Sequence, residues 1–145
     1  TLYSSRGHRL VPTVLHVSQW LDQVISAGVL QIARTLEGPV VYHDACYLSR
    51  KLGVTDAPRR VLERLTNKII EPERSRADSM CCGAKGLFPE THPADAASTL
   101  EQCATILRPP SGGGIIVSAD AECAARIAPH HKDTMTLTDA VARCL

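Results

Sequence analysis

Short apolar runs alternate along the chain with stretches of helical periodicity. In "SQWLDQVISAG", Ser18 is placed to cap the orphan amides, Leu21, Val24 and Ile25 share one face, and Gly28 supplies a stop, so a helix over 18–28 is predicted. The β-branched run "GPVVYH", 38–43, predicts a buried strand that delivers Asp44 and Cys46 just past its carboxyl end. A second helix follows Thr55 or Asp56 as cap, with Pro58 in its first turn and Val61, Leu62 and Leu65 inward. "KIIEP", 68–72, reads as another short strand, and "SMCCGAKGLFPETHP", 79–93, as a loop. A third helix is predicted from Pro93 to Leu107, with Ala97, Leu100, Ala104 and Leu107 as its stripe. "GGGIIVS", 112–118, is the clearest buried strand; Asp120 then opens a short helix limited by Pro129, and the tail gives a strand remnant and a helix capped by Thr138.

This alternation predicts an α/β fold, a small and mostly parallel sheet flanked by helices. Ligands in such sheets bind beyond the carboxyl ends of the strands. Cys46, Cys123 and the Cys81–Cys82 pair each follow a different predicted strand, so three separate loops are expected to gather at one edge.

At 145 residues the chain has the size of one domain, and its net charge of +1 provides no field to recruit nucleic acid or an anionic membrane. No apolar run is long enough for a membrane span, and "TLYSSRGHRL" lacks the core of a signal peptide. A soluble, cytoplasmic protein is the expectation. Six cysteines in such a chain favour metal binding or redox work over a disulfide framework.

A disulfide between the adjacent Cys81 and Cys82 would be a strained ring, so the two are better used as separate ligands. Soft thiolates select zinc, copper(I) or iron with sulfide, and neighbouring thiolates suit a multinuclear cluster better than one tetrahedral ion. Gly83 and Gly86 would let the backbone approach such a centre and offer amides to sulfur. Phosphate-loop and dinucleotide-loop readings fail, because "GAKG" lacks the Walker spacing and "SGGG" precedes a strand instead of following one.

The segments "VYHDACYLSR", "CCGAKG" and "VSADAEC", with 34 residues between Cys46 and Cys81 and 40 between Cys82 and Cys123, together resemble the CCG-domain (cysteine-rich domain) proteins. That family includes the cysteine-rich subunit of heterodisulfide reductase and the iron-sulfur subunits of glycolate oxidase, anaerobic glycerol-3-phosphate dehydrogenase and lactate-utilisation systems. The resemblance covers about Val14 to Ile127. It implies that Cys46, Cys81, Cys82 and Cys123 hold an iron-sulfur cluster of the 4Fe-4S kind, with Gly83 shaping the loop. It also implies electron transfer within a multisubunit oxidoreductase, beside flavin or iron-sulfur partner subunits. Members commonly carry two such halves in one chain, so this chain is expected to be a single domain, 1–145, forming the C-terminal half of a longer subunit. Peripheral attachment to a membrane would then come through partners.

The family's first cysteine of a CxxC falls on Asp120, which is either a helix cap or a further, harder metal ligand. Cys103 and Cys144 read as structural thiols, His43 and Asp44 as supports for Cys46, His130 and His131 as solvated, and Arg59 and Arg60 as surface charges. A zinc site using the same cysteines and an unmetallated thiol-redox module are the two rival readings.

Overall fold

A computed structural model describes residues 14–109 and 113–145. Gly112, the first residue of the predicted third strand, and the N-terminal residues read for a signal peptide lie outside them. Four strands, β1 (Val40–His43), β2 (Ile69–Ile70), β3 (Ile115–Ser118) and β4 (Thr134–Thr136), form one sheet in the order β2-β1-β3-β4. Every pairing is parallel, with Val40 opposite both Ile69 and Ile115 and Ser118 opposite Thr136. The expected α/β architecture is present, with the sheet wholly rather than mostly parallel.

Every residue of β1 is buried, as a central parallel strand covered by helices on both faces must be. Helix α1 (Val17–Ser26) packs on α2 (Asp56–Leu65), which also meets α6 (Leu137–Cys144). Beyond the single turn α3 (Phe88–Thr91), helix α4 (Pro93–Ile106) packs against α5 (Ala121–Ile127). The predicted stripe of α2 holds: Val61, Leu62 and Leu65 are all fully buried, each contributing about 1.5–3 kcal/mol by leaving water.

Several local expectations shift. Helix α1 is capped by His16, not Ser18; the His16 ring accepts the Ser18 N–H, and Gln19 closes a capping box on the His16 N–H. Thr136 caps α6 in place of Thr138, again as a capping box, with Asp139. The buried stripe of α4 runs through Ala96, Leu100, Cys103, Ala104 and Leu107, which leaves Ala97 exposed and brings Cys103 into the core. Phe88–Thr91 winds into a helical turn inside what reads as loop.

The chain passes from β1 to β2 on one side of β1 and places β3 on the other. The strand order therefore reverses between β1 and β3, and the crevice beyond their carboxyl ends is the switch point where open α/β sheets bind ligands.

Candidate metal centre

Strand β1 ends at His43, and Asp44, Ala45 and Cys46 lead directly into a π-helical turn, Tyr47–Lys51. Asp44 is buried at 3% exposure, and it accepts both terminal nitrogens of Arg59, at 2.9 and 2.7 Å, and the backbone N–H of Arg76 at 2.7 Å. Arg59 reaches on to Glu71 through Nε and a terminal nitrogen, both at 2.6 Å, and lies 5.1 Å from the ring centroid of Tyr42. Arg59 is thus a buried strut and not the surface charge expected from the sequence. Burial works against its charge, but the Asp44 and Glu71 hydrogen bonds hold its pKa above the ordinary value. Arg60 alone fits the surface reading, with an exposed ion pair to Asp22.

The strut has a consequence for the cysteines. Asp44 belongs to the turn that carries Cys46, and Arg76 to the segment that leads into Cys81, so one carboxylate fixes both loops. Ser49 and Ser79 tie the same two loops a second time, oxygen to oxygen at 2.9 Å.

The adjacent cysteines point to different partners. Cys81 Sγ lies 3.5 Å from Cys46 Sγ, and Cys82 Sγ lies 3.1 Å from Cys123 Sγ. All four come to the switch point: Cys46, Cys81 and Cys82 from the segments that follow β1 and β2, and Cys123 from the first turn of α5, after β3. Cys46 and Cys81 are half-buried; Cys82 and Cys123 are each 1% exposed. The contact with Cys123 lowers the Cys82 pKa to about 7 against the opposing effect of burial, and the same contact, with burial, pushes the Cys123 thiol up. Burial also raises Cys81, offset in part by the Gly83 N–H donated to its sulfur at 3.3 Å.

Gly83 has a left-handed φ of +69°, and a Cβ there would sit 2.9 Å from the Ala96 carbonyl oxygen. The close approach this glycine permits is to helix α4, while its amide does serve a sulfur. Gly86 shares the φ, but nothing stands within 4 Å of its missing Cβ.

Asp120 is the N-cap of α5: one oxygen accepts the Cys123 N–H at 3.0 Å and the other pairs with Lys85 Nζ at 2.8 Å. Lys85 also reaches Glu122 at 2.6 Å, which straps the glycine loop to the start of α5. Burial opposes the Asp120 charge, but Lys85 and the Cys123 amide keep its carboxyl below the usual range. Each oxygen thus carries one such contact, and Asp120 caps α5.

His43 is buried at 2% exposure; Nδ1 shares a 3.1 Å hydrogen bond with Ser118 Oγ, while Nε2 has no partner. Burial lowers its pKa to about 4. Cys103, expected to be merely structural, is close enough to the thiols to feel them: burial, then the charges of Cys82, Cys81 and Cys46, raises its pKa to about 12. Its Sγ lies 4.0 Å from the Met80 carbonyl. Cys144 is buried at the far end of α6. His131 is not solvated, since its Nε2 donates to the Ala104 carbonyl at 2.7 Å, whereas His130 is exposed. The sequence gives no sign of what Lys85 does, because a lysine in a glycine loop carries no mark of a partner 35 residues further along.

Among the described residues no three Cys, His, Asp or Glu side chains converge on the position of a single ion. The donor set is four soft thiols in two pairs, which fits a multinuclear iron-sulfur centre in number and chemistry better than it fits tetrahedral zinc.

The cysteines are thus gathered at the switch point of a parallel α/β domain, where open sheets of this kind bind ligands. Residues 40–128 match the cysteine-rich domain family, CCG, and the chain belongs to that family. It is 37% identical over 81 residues to one subunit of the dihydromethanophenazine:CoB–CoM heterodisulfide reductase of Methanosarcina barkeri, covering 55% of this chain and 20% of that protein. It is 42% identical over 78 residues to a probable membrane-anchored ferredoxin of Chromohalobacter salexigens, covering 54% and 12%. Lactate utilization protein A of Oceanobacillus iheyensis is 35% identical over 77 residues, covering 53% and 30%. The matched region is thus a minor part of each of these relatives. No solved structure matches the chain. No helix among the described residues is long and apolar enough to cross a membrane.

Proposed function

We propose that this chain is an iron-sulfur-binding, electron-transferring domain of a multisubunit oxidoreductase, with Cys46, Cys81, Cys82 and Cys123 as the ligands. The observation that carries the reading is that these four thiols stand as two contacting pairs, drawn from the segments after three strands, at the switch point of the sheet. Relatives named as a ferredoxin, a lactate utilization protein and part of a heterodisulfide reductase support it.

The bound centre, a 4Fe-4S cluster on this reading, would supply one-electron chemistry. The chain supplies the rest. Asp44, Arg59 and Ser49 position the two outer loops, the Gly83 amide and the buried surroundings tune sulfur basicity, and Asp120 caps the helix that presents Cys123. The domain serves as the C-terminal half of a longer cytoplasmic protein, working next to flavin or iron-sulfur partners that bring it to a membrane where one is involved.

Anaerobic reconstitution tests this directly. Iron and acid-labile sulfide should load in similar amounts, with a broad visible absorbance, and Cys81→Ser or Cys82→Ser should abolish both. Zinc taken up without sulfide would replace the proposal with the zinc reading, and no metal at all would leave a thiol module.

A further inference from the structure

We infer that, when no metal holds them, the four thiols form two distinct dithiol–disulfide couples: an outer pair, Cys46–Cys81, open to small disulfides, and an inner pair, Cys82–Cys123, closed to them. Nothing in this rests on the iron-sulfur reading. It follows from which sulfur touches which and from how much of each pair solvent reaches.

A disulfide bond is about 2 Å long. The outer sulfurs stand 3.5 Å apart and the inner ones 3.1 Å, so each pair lies within about 1.5 Å of bonding distance. The neighbours Cys81 and Cys82 already face different partners, and a bond between them would need the strained ring of adjacent residues. The three loops are held in this arrangement by the Asp44–Arg76 and Ser49–Ser79 contacts on the outer side and by the Lys85–Asp120 strap on the inner side.

Access separates the pairs. An incoming disulfide must align its two sulfurs with the attacking thiolate, which requires an open approach to that thiolate. Cys46 and Cys81 are half-buried and offer one; Cys82 and Cys123, at 1% exposure each, do not. With a glutathione-type disulfide, one outer thiolate attacks a sulfur, breaks the S–S bond and expels one small thiolate. The second outer thiolate then attacks the protein sulfur of the mixed disulfide and expels the other. The protein gives up two electrons as the Cys46–Cys81 bond forms, and the small disulfide accepts them, leaving as two thiols that carry the two protons. The product shields both sulfurs from oxidation to sulfinic acid and is reversed by a dithiol.

The full chain, stripped of metal with chelator and reductant under anoxia and then desalted, is exposed to oxidised glutathione, quenched by alkylation and mapped by mass spectrometry. The free-thiol count should fall from six to four, with a Cys46–Cys81 cross-link, while Cys82 and Cys123 alkylate only after denaturation. A Cys81–Cys82 or Cys46–Cys123 bond, or oxidation of Cys82–Cys123 first, overturns the inference. In Cys46→Ser, Cys81 should retain a stable glutathione adduct; its resolution onto Cys82 or Cys123 would equally refute the pairing. Should that variant not fold, the wild-type map decides alone. Iron and sulfide are assayed separately, so a chain that takes up neither yet yields this map overturns the cluster reading and supports the pairing.

Discussion

Lys85 Nζ stands 2.8 Å from an Asp120 oxygen whose sister oxygen receives the Cys123 amide at 3.0 Å. This one carboxylate therefore joins the cap of α5 to the glycine loop. Asp120→Asn keeps the cap and loses only a partly exposed ion pair, so a destabilisation within about 1 kcal/mol is expected. Iron per chain should not change. Asp120→Ala removes the cap as well and should lose about 1 kcal/mol more in urea unfolding. A fall in iron with Asp120→Asn would make this residue a ligand.

Arg59→Ala should be among the most damaging single changes, because it strands the Asp44 carboxylate without its buried counter-ion. Breaking such a pair costs about 3–5 kcal/mol, readable as a drop in the denaturation midpoint. Arg59→Lys should not rescue it, since an ammonium cannot serve Asp44, Glu71 and the Thr55 carbonyl from one planar fork.

The parallel sheet was legible because Val40–Tyr42 and Ile115–Val117 are short β-branched or apolar runs bounded by Gly and Pro, and because Val61, Leu62 and Leu65 keep helical spacing. The meeting of four cysteines was legible from their places after successive strands. Which thiol meets which was not, since pairing depends on how three loops fold over the switch point. Caps were misplaced by two residues at His16 and Thr136 because Ser18 and Thr138 offer the same capping chemistry, and only backbone geometry separates them. Arg59 looked like surface because a charge in the first turns of a helix, next to a second arginine, is ordinarily solvated; Asp44, which buries it, lies 15 residues away.

Acid should loosen the fold through His43. Its folded pKa, about 4, lies below its ordinary value of 6.5, so the native state excludes a proton that the unfolded chain binds. The stabilising effect is complete above pH 6.5 and is lost progressively as pH falls toward 4, amounting to about 3 kcal/mol for this one group. His43→Gln should flatten that part of the stability–pH curve, measured by urea denaturation at successive pH values. An unchanged slope would place the acid sensitivity elsewhere.

Gly83→Ala combines a left-handed φ of +69° with a Cβ 2.9 Å from the Ala96 carbonyl. A loss of about 2 kcal/mol or more is expected in the metal-free protein. Gly86→Ala has the same φ and no obstructing atom, so it should cost less; equal losses would remove helix α4 from the explanation.

Because Asp44 joins the turn after β1 to the segment before Cys81, and Cys123 arrives only with α5, no short peptide from this chain contains the site. During synthesis the thiols cannot assemble until the ribosome has passed residue 123 and β3 has docked beside β1. Metal uptake would then report that β3 has docked beside β1, ahead of the edge strand β4, and a nascent chain stalled before that point would expose Cys46, Cys81 and Cys82 without Cys123.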